Sequence, residues 1–141
     1  MEFMVIRKAD AETEAEVMPS AQLIDDMTSY NEMMVNKGVM RAGAGLKSSK
    51  YGARVSFANG KPSVVDGPFS EAKELIAGYS IIEAASLAEV VELVKLWPQS
   101  DGHGNAQIEI RQIITAEDLG FSEEQQKRYD QMVEQNMQQQ Q

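Results

Sequence analysis

Apolar positions recur along this chain with two different periods, and the changes of period mark its elements. Residues 3–7 (FMVIR) are apolar and partly β-branched and predict a strand. Asp10, Glu12, Glu14 and Glu16 then crowd the segment ADAETEAEVMP. Like charges repel and gain nothing from burial, so a solvated loop is expected there rather than a cation site. Leu23, Met27, Tyr30 and Met34 follow at helical spacing with Ile24 beside them, Ser20 stands as N-cap and Gly38 as the stop. The methionines share one stripe with Leu23 and read as core filling.

Val39–Ala42 predicts a short strand, ended by a bend at Gly43-Ala44-Gly45. That Gly-x-Gly lacks the third glycine and the following helix of a phosphate loop. The runs ARVSFA (53–58) and PSVV (62–65) flank Asn59-Gly60, a strong short signal for a β-hairpin. Asp66-Gly67-Pro68-Phe69 breaks the second run, and Ser70 is expected to cap a short helix, SEAKELIA, that Gly78 ends. Tyr79–Ala84 predicts a strand. Ser86-Leu87-Ala88-Glu89 is a capping-box pattern ahead of the apolar side Leu87, Val90, Val91, Val94 and Trp97, and Pro98 ends that helix. Residues 99–106 read as a polar loop and 107–114 as a strand. A second capping-box pattern at Ser122 opens a helix expected to fray into a disordered Gln138–Gln141 end.

The resulting order is β-α-β, hairpin, short helix, β-α-β. Two β-α-β units with their helices on one face describe an α+β fold of the ferredoxin-like sandwich type. A sheet covered on one side leaves its other face to bury. Pairing of two such sheets in a homodimer, a dimeric α+β barrel, would solve that problem. Residues 1–120 are expected to form the α+β domain, and 121–141 the C-terminal helix and glutamine-rich tail.

Composition narrows the chemistry. The chain has 141 residues, no cysteine, one histidine (His103) and a net charge of −9. Disulfides, thiolate metal sites and cysteine nucleophiles are excluded, and a histidine-rich zinc site cannot be built within one chain. No metal and no cofactor is called for. The excess of carboxylates repels phosphates, so neither nucleic acid nor an anionic membrane surface is an expected partner. Residues 1–6 lack the basic and long apolar stretches of a secretory leader, and a cytoplasmic location is expected.

At Asp66–Phe69 the chain carries a recognisable signature. VVDGPFSEAKELIAGYSIIEA resembles the DGPF-domain proteins, a branch of the YCII-related family. The likeness extends through MVIRKAD, EAEVMPS, GVMRAGAGLKSSKYGARVSFANGKPSVVDGPF, SLAEVVELVK and IEIRQI, about residues 3–120. The resemblance implies a dimeric α+β barrel and no assigned reaction. YCII-related proteins are suspected enzymes because of a His–Asp pair in a cleft. This chain offers only the loop residue His103 for such a pair. The frequent pairing of DGPF proteins with extracytoplasmic-function sigma factors implies an alternative role as a non-enzymatic regulatory partner.

Asp66 leaves a strand at a Gly-Pro turn, with Glu71 and Lys73 just beyond. Such a turn can hold Asp66 as a general base or orienting acceptor, or Asp66 can simply close the turn as an Asx motif. Arg7, Arg41, Arg54 and Arg111 lie on or beside strands and either pair with the chain's acids or converge on a carboxylate or phosphate. The reading adopted is a binding protein or cofactor-free enzyme that takes a small anionic molecule in a cleft between the sheet and its dimer mate. Asp66 is its candidate catalytic residue, with Arg111, Lys73, Glu71 and Arg7 as ligand contacts.

Overall fold

A computed structural model describes residues 1–140 of the chain. Its elements are β1 (Glu2–Lys8), α1 (Ala11–Glu14), α2 (Ala21–Asn36), β2 (Met40–Gly45), β3 (Ala53–Ala58), β4 (Lys61–Asp66), β5 (Ile76–Glu83), α3 (Leu87–Val94), β6 (Ile108–Gln112) and α4 (Glu123–Gln139). Four strands form an antiparallel sheet in the order β2-β5-β1-β6, and β3 and β4 form a separate hairpin. The crossovers through α2 and α3 each join strands separated by one antiparallel neighbour. This is the ferredoxin-like α+β arrangement, with the hairpin inserted between its second and third strands.

The core lies between the sheet and its helices. Phe3, Val5 and Ile82 from the sheet meet Tyr30 and Met34 of α2 and Val90 of α3, all buried. Strand alternation sends Met4, Ile6, Tyr79 and Ile81 to the opposite face, where they are only half-buried. The helix signals act where they are expected: Ser20, Ser86 and Ser122 each accept an N–H of their own first turn through the side chain. Asn59 and Gly60 both take positive φ, 52° and 78°, as a tight hairpin turn of the primed kind requires.

Four local expectations change. The acidic segment is no free loop: Asp10 caps the one-turn helix α1 and exchanges hydrogen bonds with Thr13. Gly43-Ala44-Gly45 does not bend away, because Gly43 pairs with Ser80 and Gly45 with Gly78. SEAKELIA gives only a 3-10 turn at Ala72–Glu74, and Ser70 caps nothing; the residue before the turn is Glu71, which makes no side-chain cap. Pairing with β1 takes the rest of that segment, so β5 starts at Ile76 and Gly78 lies inside it opposite Arg7. The fourth change is at the C-terminus, where α4 continues through Gln139; Gln141 lies outside the described residues.

Candidate functional site

Side chains that are absent open a cleft on one face of the sheet. On the helix-facing side of the sheet, Arg7, Gly78 and Gly45 lie across one row, and Val5, Ser80 and Gly43 across the next. Glycine gives the sheet nothing to fill the space beneath α2. The result is a cleft of about 700 Å³ roofed by the apolar side chains Leu23, Ile24 and Met27 of α2. A Cβ built on Gly45 meets nothing within 4 Å.

Arg7 and Asp101 close one end of this cleft. The two are 94 residues apart in the chain, and each side chain is only 10% exposed. Arg7 Nε donates to Asp101 Oδ2 at 2.9 Å, and Nη2 donates to Oδ1 at 2.8 Å, a two-bond fork. Arg7 Nη2 also donates to Asp10 Oδ2 at 3.1 Å, and Nη1 to the Lys8 carbonyl. Trp97 Nε1 donates to Asp101 Oδ2 at 2.9 Å, and the Trp97 ring lies 5.3 Å from that of Tyr30. Tyr30 in turn donates its hydroxyl to the Leu93 carbonyl, tying α2 to α3.

Burial alone would raise the pKa of Asp101. Hydrogen bonds from Arg7 and Trp97, with the Arg7 charge, outweigh burial and hold the carboxyl below its ordinary range. Asp10 follows the same pattern: burial pushes it up, and the Thr13 N–H and Arg7 bring it down further. The hydrogen bond to Asp101 raises Arg7 above its usual value against the cost of burial. Burial pushes the Tyr30 hydroxyl to about 12.

Of the expected site residues, only Arg7 belongs to this cleft. Asp66 is exposed at the end of β4, opposite Ala53, and its carboxylate forms no hydrogen bond among the described residues. Glu71 and Lys73 are exposed beside it. Arg111 is exposed on β6 beside Met4, on the face away from the helices, with Glu109 at 3.5 Å. The structure therefore does not bring Asp66, Arg111, Lys73 and Glu71 into the cleft with Arg7. His103 Nε2 lies 2.9 Å from the Glu12 carboxylate on α1, in the open. Among the described residues no three His, Asp or Glu side chains are grouped to hold a metal ion.

The DGPF segment has another task. A Cβ on Gly67 would lie 1.7 Å from the Ser49 carbonyl oxygen, so only glycine allows this approach. Phe69 N–H donates to Ser49 Oγ at 2.9 Å, and the Arg54 guanidinium lies 3.9 Å from the Phe69 ring centre. Ser49 Oγ also donates to the Glu14 carboxylate. Sequence reasoning missed Asp101, Trp97, Asp10 and the glycine row as site elements. Asp10 had a local signal, a capping residue three positions before Thr13. Asp101 had only its place in a glycine-rich loop.

Comparison with known proteins adds family context. An uncharacterised protein of Rhizobium meliloti (strain 1021) is 28% identical over 74 residues, 52% of this chain and 60% of that protein. The chain thus spans less than two thirds of the length of this curated relative. A solved structure of a 5-chloro-2-hydroxyhydroquinone dehydrochlorinase from Burkholderia phenoliruptrix, in complex with 2,5-dihydroxybenzoquinone, shares 18% identity. It aligns over 83% of this chain and 97% of its own, with a TM-score of 0.45. The model of the YCII-related domain matches residues 1–117, the region that holds the whole ferredoxin-like unit, and the chain belongs to that family.

Proposed function

We propose that this protein binds a small, largely apolar molecule in the cleft between α2 and the sheet. The observation that carries this reading is the row of glycines beneath an apolar helix face, which keeps about 700 Å³ open next to a buried polar anchor. That volume is in the range of small-ligand sites, and a few polar groups on an apolar wall are their usual composition. Arg7 and Asp101 orient the ligand at one end. A carboxyl held below its ordinary range is a weak base, which favours binding over proton abstraction at Asp101.

Charge argues against the anionic ligand that the arginines suggested. Arg7 has five N–H donors, and four of them already serve Asp10, Asp101 and the Lys8 carbonyl. Arg111 and Lys73, which would have assisted it, lie elsewhere.

A second reading concerns the hairpin. Val55, Phe57 and Val64 are 56%, 70% and 64% exposed. Strand alternation puts them on one face with Pro62. An isolated two-stranded ribbon is marginal in water, so this face favours a protein partner. Together with the half-buried Met4, Ile6, Tyr79 and Ile81, it supports a homodimer as the working assembly, with a regulatory partner such as a sigma factor as the alternative.

Nile red, a neutral dye that brightens in apolar sites, tests the first reading. The parent should bind it. Gly45→Val, which projects a branched side chain into the cleft at a position where a Cβ meets nothing within 4 Å, should weaken the signal several-fold, and Phe57→Ser on the hairpin should leave it. Loss in Phe57→Ser with retention in Gly45→Val would place binding on the hairpin and overturn the reading. Light scattering at twice the 15.6 kDa of one chain is the expected result for the assembly.

A further inference from the structure

We infer that the cleft selects a protonated amine: a small apolar or aromatic molecule carrying an ammonium group, with its head at the Arg7–Asp101 end. This inference rests on the cleft reading above and specifies the ligand class. Its first support is charge. Among the described residues, Arg7 and Asp101 are the charged side chains that line the cleft. Asp10 stands directly behind Arg7, with Oδ2 at 3.1 Å from Nη2. One guanidinium is thus shared between two carboxylates, and the anchor carries a net charge of −1. An incoming carboxylate or phosphate would meet that excess charge with a single unengaged N–H to receive it.

Acceptor capacity points the same way. A carboxylate oxygen can accept about two hydrogen bonds. Asp101 Oδ2 accepts two, from Arg7 and Trp97, whereas Oδ1 accepts one from Arg7. A ligand that donates therefore finds an unfilled acceptor position at Oδ1 of this cleft-lining residue. An ammonium brings three donors and a compensating charge. Tyr30 and Trp97 are among the residues that line the same cleft, and aromatic rings attract cations. Leu23, Ile24 and Met27 supply an apolar stretch of the wall that suits an apolar body, with Thr28, Asn31 and Ser80 as uncharged polar neighbours.

Three probes with one body and different heads test the class: 2-phenylethylammonium, 2-phenylethanol and 3-phenylpropanoate, titrated calorimetrically at pH 7 into the full chain. The ammonium should bind at least about 10-fold more tightly than the carboxylate, with the alcohol between them. Asp10→Asn keeps a good N-cap on α1 and removes one charge, and circular dichroism verifies that the variant is folded. It should narrow the ammonium-to-alcohol ratio at least about 3-fold. Equal or tighter binding of the carboxylate overturns the inference, and so does a ratio unchanged in a folded Asp10→Asn variant. Alcohol binding that Gly45→Val weakens, with no preference for the ammonium, sinks this inference and leaves the cleft reading standing. Binding of the probes that Gly45→Val does not affect, or no binding of any probe, overturns both.

Discussion

Removing one partner of the Arg7–Asp101 pair should be among the most damaging single changes in this protein. Arg7→Met keeps an apolar stem in place and deletes the guanidinium, which leaves Asp101 with only the Trp97 N–H. Each side chain is 10% exposed, so the orphaned carboxylate cannot turn to water. Breaking such a buried pair costs about 3–5 kcal/mol, whereas an exposed pair costs well under ~1 kcal/mol. For a chain of this length that is a fall in Tm on the order of 10–20 °C. Lys95→Ala, which removes the exposed pair with Glu92, is the control and should cost less than ~0.5 kcal/mol. Urea denaturation measures both. The double variant Arg7→Met, Asp101→Leu leaves no charge in the buried pair, and Asp10, 39% exposed, keeps the Thr13 N–H, so it should be more stable than the sum of the singles by at least ~2 kcal/mol. The pH dependence follows from the same pair. Asp101 and Asp10 titrate lower in the fold than in the unfolded chain. Their contribution is complete above the unfolded value near ~4 and is lost as pH falls through the folded values. Asp101→Asn should flatten the fall of stability below pH ~4. A cost under ~1 kcal/mol for Arg7→Met, or additive singles, would refute the reasoning.

The remaining predictions concern the hairpin and the tail. Gly67→Ala must displace backbone at Ser49 and should lower stability by ~1–3 kcal/mol in urea melts; a midpoint equal to the parent's would contradict the close approach. Asp66→Asn and Asp66→Ala should both stay within ~0.5 kcal/mol of the parent, because the carboxylate is exposed and unbonded; a loss above ~1 kcal/mol for Asp66→Ala alone would restore a turn-closing role. Deleting Gln138–Gln141 should leave Tm unchanged within ~1 °C, since α4 has no buried residue, and a drop of several degrees would mean that this helix packs on something.

The elements that were legible in the sequence are those whose cause is local. The stripe Leu23, Met27, Tyr30, Met34 places α2 and brings Tyr30 and Met34 into the core. Asn59-Gly60 places the hairpin, and Ser86 and Ser122 start their helices. What was not legible depends on partners far along the chain. SEAKELIA has reasonable helix formers, yet the Leu75 carbonyl accepts the Ala9 N–H and Lys8 pairs with Ile76, so strand pairing prevails. Arg7 meets Asp101 across 94 residues, a separation at which no periodicity operates. Gly43, Gly45 and Gly78 read as breakers one at a time. Only the sheet register puts Gly45 beside Gly78 and Gly43 in the next row, and so turns a strand weakness into an open cleft.

The signature turn and the cleft are separate places, yet a short strut joins them. Asp10 bonds Arg7 at the cleft end and, with its other oxygen, caps α1. At the far end of α1, the Glu14 carboxylate accepts from the N–H and hydroxyl of Ser49, and the Glu14 carbonyl accepts from Ser48. Ser49 then accepts from Phe69 of the DGPF turn, beside the bare Gly67. A helix of four residues is too short to persist on its own, because nucleation costs more than one turn returns. It holds here because each end is fixed, by Arg7 on one side and by Ser48 and Ser49 on the other. The acidic run that looks like mere solvated charge is thus divided by role. Asp10 and Glu14 link sheet to hairpin, while Glu12 faces outward to His103. On this account the DGPF turn serves the cleft indirectly. It anchors the far end of the segment whose near end sets the position of Asp10 behind Arg7.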